Sequence, residues 1–447
     1  MSLLRTVLVV VLCGWLGLPA QAAVDIQHWT TSQGARVYFV ASDALPILDL
    51  QVDFAAGSAF DPAGKSSLAS LTRRLLDTGA GDLDENAIAD RLADIGAQLG
   101  GGVGEDRASV SLRTLSGDEE RTAAVALFNT ILQRPTFPEA VLVREKSREV
   151  ADLQESLTQP GVIASRRFTE SIYGSHPYGA VATQASISAI SRDDVVRFHR
   201  NHYTVGRASI AIIGDVSRAE AERIAESIAA GLPQGDDGAD TIPPVPLPDA
   251  ARVRVPHPSA QAHVLIGMPG ITREDPDYYP LVIGNYVLGG GGFVSRLMKE
   301  VREQRGFAYS VYSYFSPQKE AGPFQIGLQT KGSQVGAALE VVDHTLREFI
   351  EKGPTEEELA AARDYTINGF GLRLDSNRKM LGYVSMIGFY ELPLDWLEQY
   401  PKKVAALTVA EVQDAFRRRV LPAHMVSIVV GGDGDTAHAA GQPAASQ

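Results

Sequence analysis

Arg302 and Tyr309 are the two residues of this sequence best suited by type and spacing to chemistry. Arg302 falls in the last turn of a helix expected to begin near Phe293; Gly306 lets the chain turn, and Tyr309 enters the next strand. A permanent cation and a phenolic donor can both be aimed at an oxygen that gains negative charge. The plainer reading is a helix-end arginine capping carbonyls and a core tyrosine. The run Gly289, Gly290, Gly291, Gly292 precedes them. No Gly-Lys-Ser/Thr follows it, so it is not a phosphate loop, and it reads as a flexible turn. Of 9 histidines only His199 and His202 fall close together. They lie at an expected helix end, where the dipole favours imidazole, and read that way rather than as metal ligands. His176, before Pro177, reads as loop packing. Cys13 is the only cysteine, which leaves no intramolecular disulfide and no thiolate zinc site.

The elements that must carry these residues are legible in the pattern. Ile47 to Phe54 alternates, with Leu48, Leu50, Val52 and Phe54 on one face and Asp49, Gln51 and Asp53 on the other, and predicts a strand. Leu68, Leu71, Leu75 and Leu76 predict a helix over Ser67 to Asp77. Glu139 to Gln154 and Thr355 to Asp364 read as helices, and Phe307 to Ser316 and Phe324 to Gln329 as strands. Strand and helix blocks that do not alternate strictly predict an α+β sandwich rather than a doubly wound sheet.

The chain has 447 residues, 45% hydrophobic and 21% charged, an ordinary globular composition. Its net charge of −13, without a basic stripe, argues against nucleic acid and anionic membrane as partners and leaves a peptide or protein. Arg5, the apolar run Val7 to Leu18 and Ala20-Gln21-Ala22 read as a secretory signal peptide over residues 1–22. A retained anchor is the alternative, but the run is short for a bilayer. Leu12 before Cys13 argues against a lipoprotein. The expected location is periplasmic or secreted, with no membrane contact after cleavage.

Pro233, Pro243, Pro244, Pro246 and Pro248, with Asp236, Asp237 and Asp240, mark a solvated linker over 233–250. It separates a half over 23–232 from a half over 251–435, with a flexible tail at 436–447. The halves repeat at an offset of 217: Ser191 to Asp194 matches Thr408 to Glu411, Ala208 to Gly214 matches Met425 to Gly431, and Tyr173 matches Tyr390. Asp61-Pro62 and Asp275-Pro276 fall nearly in register with them.

In these features the chain resembles the pitrilysin/insulinase family of zinc metallopeptidases, in its mitochondrial-processing-peptidase-like branch. The resemblance is carried by the strand Leu48 to Phe54 with Gly57-Ser58, by Gly64 and the helix before Gly79, and by His176 to Gly179. Asn201-His202-Tyr203 with Ile213-Gly214-Asp215, Leu288 to Leu297 and Arg302 to Tyr309 complete it. It implies two homologous α/β-sandwich halves forming a clamshell around a peptide chamber. It also implies that Arg302 and Tyr309 reach into that chamber to bind the scissile peptide and its oxyanion. The glycine run would lie near substrate, and the strand Leu48 to Phe54 could pair with it by strand addition.

Active members of that family carry His-x-x-Glu-His on the first helix, two zinc ligands flanking a general base. Counting back from Gly79, those positions here are Ser70, Arg73 and Arg74. Serine is a poor zinc ligand, and guanidinium stays protonated and repels a dication. A third, acidic ligand would come from near Glu149 and Asp152, and the two arginines could pair with those acids instead. The chain is therefore expected to hold no metal and to be inactive alone. It would be the non-catalytic subunit of a heterodimer, lending Arg302 and Tyr309 in trans to a homologous, zinc-bearing partner that cleaves unfolded peptides. The other reading is a purely structural or peptide-binding homologue. A stand-alone zinc peptidase is nearly excluded by Ser70, Arg73 and Arg74.

Overall fold

Each half of the chain builds one mixed sheet, as seen in a computed structural model that describes residues 24–235 and 241–432. The signal segment, Cys13, Asp236, Asp237, Asp240 and the tail 436–447 lie outside the described residues. The first sheet runs in the order Gln27–Thr30, Arg36–Ala41, Ala208–Gly214, Ile47–Phe54, Ala108–Leu115, Gln98–Val103. The second runs Ala251–Val255, Val426–Gly431, Gln261–Pro269, Pro323–Lys331, Ala308–Phe315.

Apart from the first strand the two orders coincide. The strands related by the offset of 217 occupy the same place: Ala208–Gly214 and Val426–Gly431 each lie between a parallel and an antiparallel neighbour. The helices before them, Arg192–His202 and Val409–Arg419, both open on a complete capping box, Ser191 with Asp194 and Thr408 with Glu411.

The halves exchange helices. Pro160–Tyr173, with proline at its first turn, packs on strands Gln261–Pro269 and Val426–Gly431 of the other half. Asn377–Phe389 returns the exchange on Ala208–Gly214 and Ile47–Phe54. Phe168 and Ile172 thus bury among Leu265, Ile428 and Val430, at about 1.5–3 kcal/mol per side chain. The matched tyrosines finish both exchanges. Tyr173 Oη donates to the Ala321 carbonyl at 3.2 Å, and Tyr390 Oη to Asp106 Oδ2 at 2.8 Å.

Several expectations are corrected. Ile47–Phe54 is an inner strand, paired on both edges, so no peptide can add to it. Asp49 and Asp53 of its polar face are buried too: the exchanged helix packs on this strand, and Asp53 bonds to that helix. The described part of the linker, 241–250, is mostly exposed, as expected, and is tied at two points: Pro243 O accepts from His176 Nε2 and Pro248 O from His424 Nδ1, both at 2.7 Å. Ile242 and Val245 pack against the core between the halves. The expected helix from Phe293 is instead a short 3-10 turn, Gly292–Val294, then an extended Ser295 and a π-helical segment, Met298–Glu303.

Candidate functional site: an arginine–tyrosine cleft and an occupied metal position

The helix Leu68–Leu75 turns Leu68, Leu71 and Leu75 inward and leaves Ser70, Arg73 and Arg74 on its other side, as the spacing required. Ser67 starts it at φ 93, and Asp61 caps it, accepting from Ser67 N at 2.9 Å and Ala69 N at 2.7 Å. Burial pushes the Asp61 carboxyl up to about 7, and the negative charge of Glu149 adds to this.

Both arginines are engaged. Arg73 Nε donates to Ser109 O at 2.8 Å and its Nη2 to Gly100 O, clasping the hairpin of Gln98–Val103 and Ala108–Leu115. Arg74 Nη1 lies 3.7 Å from Glu145 Oε2 and 3.6 Å from Glu149 Oε2, on the helix Glu139–Ser156. Of the two expected acids, Glu149 faces the position. Asp152 points to solvent and pairs with Arg148. Glu145 was missed in the sequence, although it lies one helical turn before Glu149, on the same face.

The histidines are occupied elsewhere. His199 Nε2 donates to Leu132 O at 3.0 Å, and burial holds its imidazole down at about 4. His202 packs with its ring tilted against Phe198 and Phe60. His176 Nδ1 accepts from Tyr178 N, leaving Nε2 for Pro243.

The second position belongs to the other half. The π-helical turn Met298–Glu303 widens the backbone and presents Arg302 outward. Its guanidinium carbon lies 4.9 Å from the Phe293 ring centre and 4.8 Å from that of Tyr309, a cation held between two rings. No carboxylate pairs with it among the described residues. Tyr309 is 81% exposed. It stands on Ala308–Phe315, the edge strand of its sheet, where a register shift between Ala308 and Val311 turns it outward. Gly306, at φ +64, makes the turn between them.

A cleft of about 450 Å³ over this pair is lined by Gly289, Gly290, Gly292, Phe293, Tyr312 and Tyr314 among others. Gly291 is not among its walls. Half of the glycine run is helical, and only Gly291 and Gly292 make the turn. Tyr286–Gly290 is a second π-helical segment, and a Cβ on Gly289 would meet Ser313 Oγ at 2.4 Å. Ser313 in turn bonds Asn285 through both its hydroxyl and its carbonyl. Phe293 is the residue that sequence reasoning missed, since nothing in its spacing shows that it folds over Arg302. All the walls of this cleft come from the second half, and the contacts of Arg73 and Arg74 stay in the first, so the two positions share no contact residue.

Comparison with known proteins places this arrangement. A model of the "Peptidase M16 inactive domain" matches residues 189–365. A crystal structure of a peptidase M16 inactive domain from Pseudomonas fluorescens is 37% identical, with a TM-score of 0.86 over 91% of this chain and 98% of that one. The chain belongs to the M16 peptidase family. A "Non-peptidase homolog YmxG" of Helicobacter pylori is 25% identical over 92% of this chain and 95% of its own length. The periplasmic protease PqqL of Escherichia coli has the same fold, with a TM-score of 0.79 at 18% identity, and this chain covers 45% of it.

The fold of this M16 member is thus the family's two-half clamshell fold. The residues at the expected metal position do not fit zinc: Arg73 donates to backbone carbonyls and Arg74 lies within ion-pair distance of Glu145 and Glu149. No helix among the described residues is long and apolar enough to cross a membrane.

Proposed function

We propose that this chain is the non-catalytic subunit of a zinc endopeptidase complex, working in the periplasm or outside the cell. A homologous partner with an intact His-x-x-Glu-His helix carries the metal. This chain holds unfolded peptide, with Arg302 and Tyr309 directed at the carbonyl oxygen under attack. The observation that carries the reading is the state of Arg302: a cation stacked between Phe293 and Tyr309, free of carboxylates among the described residues, beside an open cleft. A cation built only for stability is normally paired. The match to under half of PqqL supports a need for a second unit of similar size.

The test is reconstitution. The chain is mixed with an M16 homologue that has the intact motif, and cleavage of an unfolded peptide is followed. The mixture should far exceed either protein alone. A mixture no more active than the zinc-bearing homologue rejects the reading. A purely structural or peptide-binding role would then stand, which the description of the Helicobacter relative as a non-peptidase homolog favours.

A further inference from the structure

We infer that Tyr312 and Tyr314 form an aromatic shelf that selects the peptide taken by the cleft: an unfolded segment with an aromatic side chain and no basic residue at that place. The inference deepens the reading of the cleft as a peptide site and rests on it. Both rings stand at alternate positions of the edge strand Ala308–Phe315, so they share one face of it. Their planes lie 8° from parallel, with centres 6.1 Å apart. They stay 41% and 39% exposed. The exchanged helix Pro160–Tyr173 packs on the inner strands Gln261–Pro269 and Val426–Gly431 and leaves these rings open. Tyr312 is held from below. Its cross-strand partner is Gly327, and a Cβ there would stand 2.5 Å from Tyr312 Cζ and Oη. The ring occupies the space that the missing side chain leaves, an aromatic laid over a sheet glycine. The composition of the cleft names its ligand. Phe293, Tyr309, Tyr312 and Tyr314 line it, and Met298 adds a thioether. Phe293 and Tyr309 are committed to Arg302, which leaves Tyr312 and Tyr314 to receive a ring by offset or edge-on contact. Arg302 is the one charged residue among those lining the cleft, so a lysine or arginine seated there meets an uncompensated like charge. Single exposed aromatics are ordinary, whereas a contiguous set on the walls of an open cleft marks a binding face.

The test is peptide binding to this chain alone, followed by fluorescence anisotropy, with no partner and no turnover. A failed reconstitution and a failed shelf are therefore separate results. The probes are three labelled peptides of glycine, serine and asparagine that differ in one central residue: phenylalanine, alanine or lysine. The wild type should bind the phenylalanine peptide about 3–10-fold more tightly than the alanine peptide, and the lysine peptide least tightly. Tyr312→Ala/Tyr314→Ala should bind the phenylalanine and alanine peptides with nearly equal affinity. Tyr312→Phe/Tyr314→Phe, which keeps both rings, should retain the preference. Each comparison is a ratio of two peptides on one protein, so a loss of stability alone does not imitate the result. The inference is overturned if the wild type binds none of the peptides, if it does not favour phenylalanine over alanine, or if it takes lysine as tightly as phenylalanine. It is also overturned if the double alanine variant keeps the preference. Gel filtration checks the remaining occupant: a wild-type dimer that the double alanine variant turns into a monomer would assign this face to a second copy of the chain and overturn the inference.

Discussion

Ser385, on a helix of the second half, donates its hydroxyl to Asp53, on an inner strand of the first half. Both side chains are fully buried. Asp53 also accepts from Ser109 Oγ at 2.5 Å and Gln51 Nε2 at 2.9 Å, and Arg107 Nη1 lies 3.4 Å from it. This bond ties the exchanged helix to the sheet it covers. Asp53→Ala should therefore cost on the order of 3–5 kcal/mol, since it leaves Arg107 uncompensated and hydroxyls unpaired. Ser385→Ala removes one donor and should cost about 1–3 kcal/mol. Chemical denaturation measures both, and equal effects would rule out Asp53 as the centre of the network.

Removing one donor to a developing oxyanion costs about 10²–10³ in turnover. Tyr309→Phe keeps the ring that stacks on Arg302 and deletes the hydroxyl. In the assembled complex it should lower turnover by about that factor with little change in assembly. Arg302→Lys keeps the charge but loses the plane held between Phe293 and Tyr309, and should do the same. Wild-type turnover in Tyr309→Phe would remove the catalytic assignment.

The purified wild-type chain should hold no stoichiometric zinc. Arg73 and Arg74 stand where two of the motif residues would be, and both are engaged. Metal analysis after gel filtration checks this, and one firmly held zinc per chain would contradict the reading of the first helix.

His199 makes stability sensitive to acid. Burial holds its folded pKa at about 4, below the ~6.5 of an unfolded imidazole. Between these values the unfolded chain takes up a proton that the folded chain refuses. Stability is full above pH ~6.5 and falls as pH drops to about 4, by on the order of 3 kcal/mol. His199→Gln, which can still donate to Leu132 O, should flatten this limb. Melts from pH 7 to 4.5 read it directly, and an unchanged slope in the variant would assign the acid sensitivity to other groups.

The glycines of the cleft should differ in tolerance. Gly289→Ala drives a Cβ against Ser313 Oγ at 2.4 Å and Ser313 N at 2.7 Å. It should cost about 1–3 kcal/mol and displace the edge strand that carries Tyr309. Gly292 has nothing within 4 Å of a Cβ, and only its φ of +61 opposes alanine, at about 1–2 kcal/mol. Peptide binding should fall more sharply in Gly289→Ala than in Gly292→Ala, as measured by fluorescence anisotropy.

The sequence by itself determined the elements and the repeat. Local signals sufficed for both: the alternation of Ile47–Phe54, the leucine stripe of Leu68–Leu75, the paired capping boxes, and two apolar runs ending in glycine. The positive charge on the outer side of the first helix was equally legible, because guanidinium at Arg73 and Arg74 is a cation in any fold. Only the tertiary structure decided which partner each group meets. Alternation shows that a strand has two faces, but not that a helix from the far half will cover the polar one and bury Asp53. A glycine run shows permissive backbone, but not that Ser313 presses against Gly289. Glu145, Glu149 and Phe293 acquire their roles by contacts across distant stretches of chain, which no local pattern encodes. Side-chain periodicity is fixed by the geometry of a single helix or strand, whereas charge pairing and burial depend on what packs against it.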